Sequence, residues 1–263
     1  MKIILVPLLL LILTGFGLPD PDNECAVTNQ AFTNGETANY KIYYTLAGVY
    51  LEAGSVEFRC KNETLGSKAI YHITAVGKTI PFYDHLYKVR DHYETFIDTG
   101  SLLSYQFNRS VLEGGTKKYE NIRFNRAVQT AITDSGVYKV PACVQDVLGA
   151  LYYIRNMSVE KLKAGNKIDF EMFLDNQVYK SYVRYIGKEI ITTKYGKFRA
   201  IKIRPLLIKG TMFDSGEKMT VWVSDDANHI PVRIQSSIKI GSVKADLMEF
   251  SNLRWPLSSL ISR

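Results

Sequence analysis

The sequence predicts a mainly β protein: a strongly curved antiparallel sheet or partly open β-barrel, with one helix at about residues 140–157 packed on or in it. Three observations carry this. Apolar and polar residues alternate with period two over most of the chain after residue 30, the pattern of half-buried strands. The 17 tyrosines favour strands over helices. Roughly a dozen such segments follow one another at the short spacing of a sandwich or barrel. A chain that is 46% hydrophobic and 22% charged can fill a real core. About 245 residues beyond the leader suit one all-β domain.

The leader comes first. Residues 1–17, MKIILVPLLLLILTGFG, combine Lys2, a short apolar run and small residues at Gly15 and Gly17, which describes a secretory signal cleaved near Gly17. The run is too short for a membrane span, which needs roughly 20 apolar residues. No later segment is long and apolar enough to supply one, so an exported chain in the periplasm or cell envelope is expected. Residues 18–30 read as a linker, 31–252 as the β domain and 253–263 as a C-terminal tail. Of the three cysteines, Cys25 and Cys60 could bridge in an oxidising compartment, tying the lead to the second strand. The alternative is three reduced thiols, with Cys60 and Cys143 buried as small hydrophobes.

Strands then follow in order. Tyr40, Ile42, Tyr44 and Leu46 share one face of the first, and Val56, Phe58 and Cys60 one face of the next. Residues 80–91 open on a helical turn after Pro81. Leu103, Tyr105, Phe107 and Val111 alternate with more polar neighbours. In the 140–157 helix, Val144, Val147, Leu148, Leu151 and Ile154 recur at helical spacing behind Pro141. Ile168, Phe170, Met172 and Leu174 oppose Lys167, Asp169 and Glu171. Strands at about 178–190 and 197–208 meet at Gly196, and a Gly241-Ser242 turn suits a two-residue hairpin.

The stretch VWVSDDANHIPVRI, residues 221–234, gathers two acids, a tryptophan and a histidine. Asp225 and Asp226 are adjacent, so in an extended chain they point to opposite faces rather than at one substrate. TVWVS alternates, DDAN is turn chemistry and Pro231 can open a new strand, so the stretch reads as a strand connection. Asp84-His85 and Asp91-His92 could share a zinc only on one continuous helix, and the alternation from Asp91 to Asp98 argues against it. Gly77-Lys78-Thr79 lacks the upstream glycine of a phosphate loop. No catalytic residues, metal ligands or cofactor are assigned. The net charge of +7 is spread along the chain, which permits weak attraction to anionic lipid or polysaccharide without implying nucleic-acid binding.

Taken together, NGETANYKIYYTLAGVYLEAGSVEF, YKVRDHYETFID, VQDVLGALYYIRN, YGKFRAIKIRP and VWVSDDANHIPVRI with GSVKADL resemble, in this order, the bacterial exported proteins of domain-of-unknown-function family 3108. The resemblance runs from about Asn34 to Phe250. It implies a bacterial envelope protein, of Bacteroidetes-like origin, and carries over no activity and no catalytic residues. A fold-level analogy links Asp225 to Arg233 with periplasmic lipoprotein-carrier proteins, whose curved sheet wraps a helix and binds acyl chains. The expected function is a non-enzymatic periplasmic carrier for an apolar or lipid-like ligand, with Phe82, Tyr83, Tyr87 and Trp222 as candidate wall residues. The alternatives are an envelope scaffold working with other envelope proteins, and a hydrolase using Asp225, Asp226 or His229.

Overall fold

The computed structural model describes residues 25–46, 49–208, 215–238 and 241–263. The leader, its cleavage point and the first part of the linker lie outside these residues. The strands are β1 (Thr37–Leu46), β2 (Val49–Leu65), β3 (Lys68–Thr79), β4 (Val89–Asp98), β5 (Ser104–Glu113), β6 (Thr116–Asn125), β7 (Thr130–Thr133) and β8 (Gly136–Lys139). They continue as β9 (Lys167–Leu174), β10 (Gln177–Thr192), β11 (Lys197–Pro205), β12 (Met219–Ser224), β13 (Pro231–Ser237), β14 (Ser242–Ser251) and β15 (Leu260–Ser262). Among the described residues two helices interrupt them, α1 (Pro81–Tyr87) and α2 (Val147–Ile154).

All fifteen strands belong to one sheet, in the order β8-β7-β6-β5-β4-β3-β2-β1-β14-β13-β12-β11-β10-β9, with β15 added beside β11. β1 lies antiparallel between β2 and β14, so two runs of hairpins spread from the middle in opposite directions. The hydrogen-bonded path does not close; β8 and β9 are its ends. Other contacts bring these ends together. Gln145 N donates to Glu171 O and Phe173 N to Gln145 O, both at 2.9 Å, so a short bridge covers the free edge of β9. At the β9–β10 turn, Asp175 N donates to Glu120 Oε1 of β6 at 2.8 Å, and Thr133 Oγ1 of β7 donates to Asn176 Oδ1 at 2.9 Å. The sheet therefore curls into a partly open barrel.

The concavity next to α2 is filled. Ile73, Ile97, Phe107, Ile122 and Phe173 form one cluster with Leu148 and Tyr152 of the helix. A second cluster gathers Tyr40, Phe198, Val232 and Leu247 under the C-terminal tail, and a third gathers Tyr185, Ile201, Val221 and Val223 with Val159 and Leu162.

Helix α2 is eight residues long, shorter than the 140–157 expected, because Asp146 caps it. The Asp146 Oδ1 accepts from Leu148 N and Gly149 N at 2.8 and 2.7 Å, satisfying donors that would otherwise be orphaned. Residues 141–144 form a separate turn, and 145 runs extended along β9. Other expected patterns shift by local irregularities. A register break between Phe96 and Ile97 spoils the Tyr105 alternation, and the Tyr105 hydroxyl donates to Asp98 instead. On β9 the expected face is the more buried one from Lys167 to Met172, but Phe173, on the opposite face, is buried as well. Ser237 pairs with Ser242, which already belongs to β14, so Gly241-Ser242 is not a two-residue turn. Gly241 has φ +81°, and a Cβ there would lie 2.3 Å from Thr45 O, so only glycine fits.

The disulfide joins Cys25 to Cys143, not to Cys60. Cys60 points from β2 into the helix-side core and is fully buried, and burial pushes its thiol up to about 12. The lead instead runs beside the turn after β4, where Val27 N donates to Ser101 O, and the 141–144 turn presents Cys143 there. Cys143 is thus a bridge rather than a buried thiol.

Candidate functional site

α1 follows β3 directly, started by Pro81, whose missing N–H costs nothing at a helix N-terminus. Thr79 and Arg90 hold it at both ends. Thr79 Oγ1 donates to Asp84 Oδ1 at 2.5 Å and accepts from Val89 N at 3.0 Å, while Arg90 makes a two-pronged contact with Asp84. These bonds, Arg90 foremost, hold the Asp84 carboxyl below its ordinary range. Ile80 N donates to Ala53 O, anchoring the helix to the overhanging start of β2. On the other side Tyr87 lies against Gly114 of the β5–β6 turn, where an added Cβ would fall 2.4 Å from its ring. Lys88 turns extended, which separates Asp84-His85 on the helix from Asp91-His92 on β4. Among the described residues no three His, Cys, Asp or Glu side chains are gathered so as to hold a metal ion.

No residue of α1 is buried. Phe82 is 70% and Leu86 74% exposed, and Tyr87 is also exposed. Tyr83 is half-buried, its ring edge-on to Phe82 at 5.4 Å. At the same end of the sheet, Val49, Tyr50 and Leu51 open β2 with their side chains exposed. Tyr50 carries the Lys244 ammonium 4.1 Å from its ring centre. Three of the four candidate wall residues, Phe82, Tyr83 and Tyr87, are therefore together. Trp222 is not among them. It lies on β12, five strands along the sheet from β3, or roughly 24 Å at the usual strand spacing. Its indole N–H donates to Glu189, and the Lys202 ammonium sits 5.4 Å from its ring centre.

Beneath α1 the core-facing side of β4, β5 and β6 changes character. Thr95, Phe107 and Ile122 are fully buried, but nearer the rim the same face carries Tyr93, Arg109 and Glu120 two residues on, Asp91 four and Glu113 six. Glu113 is raised to about 7, by burial first and then by the charge of Asp91 and a hydrogen bond with it; Asp91 is raised too, mainly by burial. Arg109 Nε lies 2.8 Å from Glu120 Oε2, and Arg109 and Lys118 both contact Asp175 at the β9–β10 turn. This belt couples the sheet's two ends, and its acid pair can hold a proton near neutral pH. Sequence reading did not find it, because the residues lie on three strands and only the register brings them to one face. The Asp175-Asn176 turn has φ +52° and +60°, and an Asp-Asn pair between alternating segments was the available signal for that hairpin.

The 225–229 stretch is a strand connection in which each polar side chain makes at least one polar contact. Asp225 pairs with Lys188 at 2.7 Å. Asp226 Oδ1 accepts from Ser224 Oγ and Asn228 N, and its Oδ2 from Ser259 N of the tail. Asn228 is fully buried; its Nδ2 donates to Trp255 O, and its Oδ1 accepts from Trp255 N. His229, at φ +42°, places Nδ1 2.7 Å from Arg155 O. Pro231 then opens β13. The two aspartates serve different partners and do not converge on a common space.

Comparison with known proteins supplies the relationship. A family model, described as protein of unknown function DUF3108, matches residues 39–248. The chain belongs to this family. No curated protein matches it. Among solved structures, it is similar to a β-barrel-like protein of domain of unknown function DUF1849 from Brucella abortus, with TM-score 0.56 and 10% identity over 86% of this chain and 99% of that one. That likeness is one of fold. Weaker similarities reach a protein named as exported, with a YmcC-like fold, from Bacteroides fragilis, at TM-score 0.33 and 12% identity over 86% and 100% of the chains. A protein named as a lipoprotein from Parabacteroides distasonis matches at TM-score 0.35 and 14% identity over 86% and 99%. No helix among the described residues is long and apolar enough to cross a membrane.

Proposed function

We propose that this DUF3108 protein is an exported, non-enzymatic cell-envelope protein that binds an apolar or lipid-like ligand at the α1 rim. The observation that carries the reading is the exposed apolar side chains there: Phe82, Leu86 and Tyr87 on α1, with Val49 and Leu51 at the same end of β2. Fully burying a side chain of this kind is worth roughly 1.5–3 kcal/mol, so leaving several in water at one place marks a surface meant to be covered. Export is supported by the sequence of residues 1–17 and by the Cys25–Cys143 disulfide, which belongs to an oxidising compartment. Native mass spectrometry with lipid extraction of the purified protein tests the reading. A bound lipid is expected, lost in a Phe82→Ser/Leu86→Ser variant that melts like the parent; protein that is lipid-free when taken from its own envelope overturns it.

A second reading, an envelope scaffold without ligand, is favoured by the helix-side concavity being filled by Phe107, Ile122, Phe173, Leu148 and Tyr152. Cross-linking in cells separates the two, since specific protein partners without lipid would favour the scaffold. The hydrolase alternative has the least support, because Asp225, Asp226 and His229 are engaged in ion-pair and backbone contacts.

A further inference from the structure

The charges around the α1 rim are not balanced. Its acids are matched within the molecule: Glu52 by Lys41, Asp84 by Arg90, and Asp175 by Arg109 and Lys118. Glu113, half-buried, shares its site with Asp91 and is raised to about 7, which reduces its charge at neutral pH. Three lysines are in no direct ion pair, although the charge of Lys88 also acts on Asp84. Lys78 near the end of β3, Lys88 between α1 and β4, and Lys117 beside the β5–β6 turn are all exposed and make no ion pair among the described residues. They flank the helix that exposes Phe82 and Leu86. Aromatic and aliphatic side chains ringed by cations of one sign match the interfacial layer of a lipid bilayer, apolar just beneath an anionic headgroup surface. With Glu52, Asp84 and Asp175 in ion pairs and Asp91 and Glu113 sharing one site, the exposed charge of the rim is mainly cationic, which favours an anionic bilayer over a protein surface of mixed charge.

We infer that the α1 rim docks on an anionic lipid bilayer, with Phe82 and Leu86 entering the interface and Lys78, Lys88 and Lys117 lying over the headgroups. This rests on the apolar-ligand reading of the same rim and names the surface on which that ligand is met. The chain's excess of cations, +7 overall, favours the same approach.

Flotation of the purified protein with vesicles tests it, using neutral phosphatidylcholine vesicles and vesicles containing about one-third phosphatidylglycerol. Binding is expected to the anionic vesicles only, and to weaken strongly between low and high salt. Each lysine near such a surface contributes about fivefold, so Lys88→Glu/Lys117→Glu should reduce binding by at least 25-fold. Phe82→Ser/Leu86→Ser should abolish it at any salt concentration. All four side chains are exposed, and unchanged melting of both double variants confirms that they fold. The inference is overturned by failure to bind anionic vesicles, by equal binding to neutral ones, or by binding that neither variant weakens. Lipid recovered by extraction from a protein that ignores vesicles overturns docking while leaving the ligand reading intact. Vesicle binding by a protein that carries no extractable lipid supports docking and removes the carrier role.

Discussion

Arg155 is the residue on which distant parts of the chain converge. Its guanidinium meets Glu36 at 2.6 and 3.0 Å, both side chains at least 95% buried, and also donates to Asn228 O. Burial alone would lower Arg155, but the Glu36 charge and hydrogen bond hold it far above its ordinary value. An Arg155→Met variant leaves a buried carboxylate uncompensated and should lose roughly 3–5 kcal/mol in denaturant unfolding, whereas adding Glu36→Gln should recover much of the loss. Glu113 gives a pH signature. Its folded value near 7 exceeds the unfolded one, so the folded state holds the extra proton and stability falls as pH rises from about 4.5 to about 7. Glu113→Gln should remove that fall, seen as a melting-temperature advantage over the parent that grows between pH 5 and pH 8. None of this polar interior was legible in the sequence. Arg155, Glu36 and Glu113 have the composition of surface residues, and only the fold shows which charges were taken inside and with whom.

At the scale of elements, the sequence located most strands and both helices, because alternation and helical spacing record burial directly. It misplaced the start of α2 because Pro141 offered a start signal and Asp146, five residues on, took the capping role. On β9 its alternation holds from Lys167 to Met172 and fails only at Phe173, buried where residue 145 covers the edge. For the candidate site, α1 and its aromatics were legible, but the companion residues on β2 were not, since exposure at the start of a strand leaves no periodic trace. Two predictions belong here. Replacing Cys25 and Cys143 by Ser should cost roughly 2–5 kcal/mol by releasing a long loop, and reductant should lower the parent's melting temperature towards that of the variant. Gly114→Ala, at φ +55° and against the Tyr87 ring, should dislodge α1 and speed proteolysis within 80–88, leaving the core strands protected in hydrogen exchange.

For the whole molecule, the period-two pattern announced a curved sheet but not its order, since pairing of β1 with β14 joins residues about two hundred positions apart. Closure rests on few groups, so Asp175→Ala/Asn176→Ala should raise hydrogen exchange in β7 and β9 and leave β1, β2 and β14 unchanged. The Cys25–Cys143 link bears on how the chain matures. Emerging N-terminus first, Cys25 is followed by Cys60 long before Cys143 appears, so oxidation in order of emergence would trap the wrong partner. The native link requires Cys60 to be sequestered in β2 or an early mispairing to be reshuffled by thiol exchange. A Cys60→Ser chain would lack that detour and should reach its native link faster, which makes the third cysteine a kinetic liability tolerated for its place in the core.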